Sequence, residues 1–403
     1  MGDSRIKKYQ AIFFPFFDIA LNGLNYFFQI FVSWYLIPEN YGILNSLLSF
    51  LSIILVTGIA FQTYTAKEIV KGRLIEFNIL SIFKSALFYI GLLLIILLIC
   101  SPFIKIFTRG SYISIFLIMI ISFMNILLSI LRGIFQGTGE FFNLNKSFYI
   151  EVISKIFFIF VFLKLFNNIN IVLLSILLGM TISTIYGLVK NRTKLKFDIN
   201  TLKEINIKEH YKKIFKVIIA NFFFYFFTSI DMIMVNFYLP NESGIYAVIL
   251  KYSQVLQFAS LSIMTVFVTM LSKDLNNRTK FNDKVRKLFS LILCMSILAL
   301  VFYRYVAPFT VDIFFGTVYK EAGKYLWIGL IPYIFMIYTF LIININVILE
   351  RTRYLWSLLI AAILITIFIS IFHKNIENIL IIESVLYFCL MITLFAQLKL
   401  ERS

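Results

Sequence analysis

Tyr35-Leu36-Ile37-Pro38-Glu39-Asn40-Tyr41-Gly42-Ile43 returns half a chain later as Tyr238-Leu239-Pro240-Asn241-Glu242-Ser243-Gly244-Ile245. Each copy fills a short gap between two long apolar runs. A second echo follows in each half: Pro102-Phe103 precedes Gly110, and Pro308-Phe309 precedes Gly316 at the same spacing. The joints therefore pair the first span with the seventh and the second with the eighth. A duplicated membrane bundle is the sequence mark of many secondary transporters, whose halves rock about a site between them. The repeat favours transport over catalysis.

Composition agrees. The chain is 61% hydrophobic and only 14% charged, where a soluble domain carries about 25% charged residues. Cys100, Cys294 and Cys389 all fall inside apolar runs, which fits packing better than a disulfide framework or a metal site. His210 and His373 are far apart in sequence, so no metal or other cofactor is expected.

A helix needs roughly 20 apolar residues to cross a bilayer. Twelve runs qualify: 11–36, 41–65, 78–100, 111–135, 147–166, 169–189, 214–239, 244–271, 287–303, 322–348, 354–373 and 377–398. The first is too long for a signal-peptide core and a second span follows at once, so it reads as a transmembrane helix. An even number of spans puts both termini on one side. With the N-terminus in the cytoplasm, most of the 37 lysines and arginines fall in inner loops and termini, as the positive-inside rule requires. The net charge of +17 then needs no nucleic-acid partner. The expected organisation is an N-lobe at 1–189, a basic cytoplasmic linker at 190–213 and a C-lobe at 214–403. The linker mixes lysines with Phe197, Leu202, Ile205 and Ile207. It reads either as an amphipathic helix on the membrane surface or as a solvated tether.

Polar residues within the spans repeat at helical spacing. Asp18, Asn22, Asn25 and Gln29 form one stripe along the first span. Asn45, Ser49 and Ser52 share a face of the second. Asn221, Tyr225, Thr228 and Asn236 cluster on the seventh, with Asp231 at their margin, and Lys251 and Gln254 align on the eighth. Such residues either tie helices together or line a wet path. The ionisable ones, Asp18, Asp231 and Lys251, are the sharper functional candidates. Glu151 and Lys155 stand at i, i+4 in the order that suits a helix ion pair. Arg132 has no neighbour of opposite charge on its own helix, so it either holds a phosphate or snorkels to the interface. Glu383 is an isolated acid in the twelfth span with no assigned role.

Several joints resemble a known family. Pro38-Glu39-Asn40-Tyr41-Gly42 with its preceding Leu36 is similar to the L-x-P-E-x-Y-G joint of the Wzx-type polysaccharide flippases, which export O-antigen and capsule units and belong to the MATE-like MOP superfamily. Ile230-Asp231-Met232-Ile233-Met234-Val235 with Gly244-Ile245-Tyr246, Leu131-Arg132-Gly133 through Gly137, and Pro308 through Glu321-Ala322 resemble three further stretches of that family. The resemblance covers nearly the whole chain. It implies an all-α integral membrane protein with about twelve transmembrane helices in two six-helix lobes, related by a pseudo-twofold around a V-shaped central cavity. It implies a bacterial cytoplasmic membrane and a cargo of undecaprenyl pyrophosphate bearing an oligosaccharide repeat. The partners it implies are membrane lipids and other polysaccharide-assembly proteins.

On that reading Lys251 and Arg132 are the phosphate candidates. Asn22, Asn25, Gln29, Asn45, Asn221 and Gln254 are candidates for meeting sugars, and Asp18 or Asp231 for coupling to H⁺ or Na⁺. A drug or organic-cation antiporter of the same superfamily is the alternative, kept open by the two aspartates. A membrane polymerase, ligase or glycosyltransferase fits less well, because no outer segment carries a recognisable catalytic set.

Overall fold

The chain is described by a computed structural model over residues 20–70, 79–194, 207–273, 277–349 and 351–400. Among them there are helices and no strands. In chain order the helices are α1 (20–33), α2 (Pro38–Val70), α3 (Ile79–Thr108), α4 (Tyr112–Gly137), α5 (Phe141–Leu163), α6 (Ile169–Asn191) and α7 (Ile207–Phe227). There follow α8 (Ile230–Tyr238), α9 (Ser243–Lys273), α10 (Arg278–Tyr305), α11 (Ala307–Phe314), α12 (Ala322–Ile348), α13 (Tyr354–Ile371) and α14 (Ile376–Leu400). An all-helical build is what hydrocarbon demands, because only a helix satisfies every backbone group within its own segment.

Among the described residues nine helices are long and apolar enough to cross a membrane. The other three expected spans fall short for separate reasons. Only residues 20–33 of the first are described as helix. The fifth, α5, carries Lys146, Glu151 and Lys155. The seventh is not one helix: it breaks at Thr228–Ser229 into α7 and α8. Of the expected linker, residues 195–206 lie outside the described residues, and Ile207 already begins α7.

The helices gather into two compact units. Unit 1 holds the described residues of Met1–Leu36 and Ser46–Ser229; unit 2 holds those of Ile37–Asn45 and Ile230–Ser403. These units follow packing rather than the sequence repeat, so α7 groups with unit 1 and the first turns of α2 group with unit 2.

In unit 1, α2, α3, α4 and α7 share a core that includes Phe61, Tyr64, Ile82, Ile90, Ile126, Leu131 and Ile214. The α4–α5 turn is closed by Gly139 in a left-handed conformation (φ 76°). Glu140, beside it, accepts hydrogen bonds from Lys194, from Asn143 Nδ2 at 2.9 Å and from Thr138 Oγ1 at 3.2 Å. Burial alone would raise the Glu140 carboxyl, but these donors outweigh it and hold the group below its ordinary range.

In unit 2, α12 is the most enclosed helix and packs against α9 and α14. Ser253 of α9 donates to the Gly329 carbonyl of α12 at 3.1 Å. The two Pro/Gly echoes behave differently. Pro102 lies inside α3, whereas Pro308 opens the short α11. Yet both loops turn through a left-handed residue, Arg109 (φ 55°) in one and Gly316 (φ 96°) in the other.

The twin joints of the opening repeat touch each other in unit 2. The start of α2 meets the start of α9, with each glycine against the other's joint. A Cβ on Gly42 would lie 2.6 Å from Ser243 Cβ and 2.9 Å from the Gly244 nitrogen; one on Gly244 would lie 2.8 Å from Pro38 Cα. No Cβ fits at that separation. Lipid gives helices no hydrophobic reason to associate, so contact depends on close van der Waals approach through small residues. The flanking Tyr41 is fully buried and meets the Tyr319 ring edge-on at 5.6 Å. Gly244→Ala should therefore cost about 1–3 kcal/mol through overpacking and lower the melting temperature in detergent. Gly91→Ala, with nothing within 4 Å of the new methyl, should leave it unchanged or higher. Equal melting temperatures for the two variants would refute the joint as a packing constraint.

Candidate functional site

The break between α7 and α8 occurs without proline or glycine. Thr228 turns its hydroxyl back to the Phe224 carbonyl at 3.1 Å and the Tyr225 carbonyl at 3.2 Å, a local bond that competes with helix continuation. The new helix α8 starts at Ile230 and exposes N–H groups without intrahelical partners. Asp231 answers them, its Oδ1 accepting from the Met232 N–H at 2.8 Å.

The same carboxylate reaches two other helices of unit 2. Tyr246 of α9 places its hydroxyl 3.1 Å from Asp231 Oδ2 and 3.1 Å from Glu383 Oε1 of α14. Asp231, Tyr246 and Glu383 are 2%, 0% and 1% exposed, so water does not compensate them. A phenol has one hydrogen to give and can donate to only one carboxylate at a time. The carboxyl oxygen that the phenol does not serve can carry a proton of its own or meet a cation beside it, while Asp231 keeps the Met232 N–H on its other oxygen. Tyr333 and Tyr387 are close enough to interact electrostatically with both carboxyls. Lys251, half-buried on α9, is close enough to act on Asp231 electrostatically and donates to Gln254 Oε1 at 3.4 Å. The repeat-based reading found Asp231, Lys251 and Gln254. It missed Tyr246 as a bridge and gave Glu383 no role, although an isolated acid in a membrane span was itself the signal.

Unit 1 holds a different arrangement around Arg132, whose partners all come from other helices. Its Nη2 reaches Glu151 Oε2 at 2.6 Å, the Ser147 carbonyl at 3.2 Å and Ser183 Oγ at 3.4 Å. Its Nε donates to Ser147 Oγ at 3.0 Å, and the Phe148 ring lies 3.9 Å away. So Arg132 does not stand open to a phosphate as the sequence allowed. Glu151 makes its close ion pair with Arg132 rather than with Lys155, although it stays near enough to act on Lys155 electrostatically. Lys155 instead donates to Asn25 Oδ1 of α1 and sits 4.6 Å from the Phe28 ring centroid.

The remaining sequence candidates are scattered over these two settings. Asn22 and Asn221 are half-buried. Gln29 Oε1 is buried without a hydrogen-bond partner. Asn45 gives its amide to the Tyr41 carbonyl at 2.8 Å and buries an unpartnered oxygen. Asp18 lies outside the described residues. Among the described residues no group of three His, Cys, Asp or Glu side chains is placed to hold a metal.

A helical membrane bundle with a discontinuous helix and ionisable groups at its break has the build of a secondary transporter. A family model described as "Polysaccharide biosynthesis protein" matches residues 16–274, more than half of the chain, and the chain belongs to that family. Its fold is that of the MOP superfamily. An inward-facing multidrug resistance MATE family transporter superposes with a TM-score of 0.75 at 14% identity, over 93% of this chain and 94% of that one. The lipid II flippase MurJ, inward closed, gives 0.75 at 17% identity over 96% and 87%. A MOP superfamily transporter from Pyrococcus furiosus gives 0.67 at 13% over 98% and 95%. At such identities the structures share a fold. A search of curated proteins returns no match. The resemblance to polysaccharide flippases of the MOP superfamily is borne out by the family and the fold together.

Arg132→Ala would leave the half-buried Glu151 without its close partner, a loss of up to about 3–5 kcal/mol, the scale for a buried pair. Replacing both members by apolar residues, Arg132→Met with Glu151→Leu, should recover much of it. Unfolding in detergent measures both, and wild-type stability for Arg132→Ala would exclude a structural role for the pair.

Proposed function

We propose that the chain translocates undecaprenyl-pyrophosphate-linked oligosaccharide repeat units across the bacterial cytoplasmic membrane by alternating access, supplying O-antigen or capsule synthesis. The reading takes both termini as cytoplasmic. Family membership supports it, but the observation that carries it is physical. Unit 2 keeps two carboxyl groups and a lysine in surroundings where ionisable side chains are costly and persist for function. A pyrophosphate and several sugars need such water-like partners to pass hydrocarbon, while a polyprenyl tail can stay in lipid. Asn22, Asn25, Gln29, Asn45, Asn221 and Gln254 offer the amides that sugars use.

Coupling falls to Asp231. Tyr246 can satisfy only one of two carboxyls, so the pair has room for a proton or a monovalent cation. Taking up H⁺ or Na⁺ changes the local charge, and a change in charge alters which conformation is favoured. The acidic pair also gives some support to the second reading, a drug or organic-cation antiporter. Chain deletion separates the two: loss of surface polysaccharide without drug hypersensitivity supports the flippase, and the reverse supports the antiporter.

Asp231→Asn and Glu383→Gln should insert normally and lose the response of transport to an imposed H⁺ or Na⁺ gradient in proteoliposomes. An undiminished response in Asp231→Asn removes that residue from coupling. Lys251→Ala should weaken surface-polysaccharide assembly at normal expression. Full assembly would remove Lys251 from the cargo path.

A further inference from the structure

We infer that the first turns of α10 form a binding surface for anionic glycerophospholipid, with Lys280 and Lys287 on the headgroup phosphate and the acyl chains along the apolar residues that continue the same face. The inference does not depend on what the chain transports. The proposed cytoplasmic termini decide only which leaflet supplies the lipid, and they make it the inner one.

Length places these lysines among the headgroups. The helix α10 runs for 28 residues, about 42 Å at 1.5 Å per residue, whereas the hydrocarbon core is about 30 Å thick. The surplus falls at the charged end. Residues 278–287 hold Arg278, Lys280, Lys284, Arg286 and Lys287 against one acid, Asp283. The stretch just before changes little, because Lys273 offsets Asp274. Two sides of the helix then diverge. Phe281, Leu288 and Ile292 are buried, where α10 packs against its neighbours in unit 2. Lys280, Lys284 and Lys287 follow at steps of four and three on another side; Lys280 and Lys287 are exposed and Lys284 is half-buried. That side continues as Leu291, Leu298 and Phe302, all exposed. The rise from Lys287 to Leu298 is about 16 Å, roughly the depth of one leaflet of the core.

The placement runs against local preference. The start of an α-helix carries partial positive charge and favours acids over lysines. Yet α10 has no acid in its first turn, and its cap is the neutral Asn277, whose Oδ1 accepts from the Lys280 N–H at 3.1 Å. Lys280 and Lys284 stand at i, i+4, and Lys284 and Lys287 at i, i+3, spacings at which like charges repel. Helix dipole and mutual repulsion both oppose this arrangement, and an anion seated outside the helix relieves both. Basic clusters beside a membrane span draw anionic lipid for this reason. A phosphodiester anchored in the bilayer brings the anion at the right depth, and its chains cover Leu291, Leu298 and Phe302. A soluble anion brings no such cover.

The test places the full-length protein in nanodiscs of phosphatidylcholine with and without phosphatidylglycerol, and reads the melting temperature and the lipid retained in native mass spectrometry. Phosphatidylglycerol should raise the melting temperature of the wild type, and the gain should shrink as salt rises. Lys280→Gln with Lys287→Gln should melt no lower than wild type in phosphatidylcholine, since it removes two exposed charges that repel their neighbour. It should lose most of the gain and bind phosphatidylglycerol roughly tenfold or more weakly. Lys320→Gln with Lys324→Gln removes the same charge from two other exposed lysines of unit 2 and should keep the gain. A full gain in the Lys280 and Lys287 variant overturns the inference. So does an equal loss in the Lys320 and Lys324 variant, which would make net charge the cause. Inorganic phosphate added to wild type in phosphatidylcholine should give no gain; a gain equal to that from phosphatidylglycerol would assign the stripe to a free anion and overturn the lipid assignment. A wild type that gains nothing from phosphatidylglycerol leaves the stripe to an acidic protein at the membrane surface and overturns it as well.

Discussion

Two helix starts pressed together through their glycines set the position of much else in unit 2. Where Gly42 and Gly244 meet, α2 and α9 approach closer than any side chain would permit. In water such a contact would be one of many supported by apolar burial. In lipid the association of helices rests on packing itself, so a joint that excludes even a methyl is a specific device. Its effect propagates along α9. Tyr246 is two residues beyond Gly244, and its hydroxyl must fall between Asp231 of α8 and Glu383 of α14. A shift at the joint would therefore move the bridge between two buried acids. The repeated motif and the ionisable site are parts of one constraint.

The two units solve the problem of charge in opposite ways. Among the described residues around Arg132 in unit 1 there are two cations, Arg132 and Lys155, and one acid, Glu151. Around Tyr246 in unit 2 there are two acids, Asp231 and Glu383, and one cation, Lys251. Among the described residues each set holds one more group of one sign than of the other. An odd acid can be satisfied by a proton or a small cation, an odd lysine by an anion. The separate units give each kind its own surroundings.

Most of the fold was legible because hydrocarbon leaves few choices. Apolar runs of sufficient length become helices, and the joints between them carry proline and glycine. The exceptions have physical causes. The seventh span reads as one apolar run, since Thr228 and Ser229 are not helix breakers by composition; it is a hydroxyl bonding back to a carbonyl that marks the break. The site was less legible. Helical spacing told which residues share a face, but not what the face meets. Lys155 finds Asn25 across 130 residues, and Tyr246 finds Glu383 across 137. Periodicity within one helix holds no information about such partners.

The sharpest departure concerns Glu151, and it can be reasoned through. An i, i+4 glutamate–lysine pair contributes only about 0.2–0.5 kcal/mol on an exposed helix. A buried arginine without its carboxylate costs several times that. Arginine also cannot shed its proton, whereas lysine can adapt when its surroundings turn apolar. When two cations compete inside a bundle for a single acid, the one without an alternative takes it. Arg132 offers further donors to Ser147 and Ser183 and a flat face to Phe148, so the acid gains a partner already locked in place. Lys155 turns instead to Asn25 and the Phe28 ring of α1. The rule that holds for helix surfaces in water fails in α5 because the third residue in the contest comes from α4, nineteen residues before Glu151.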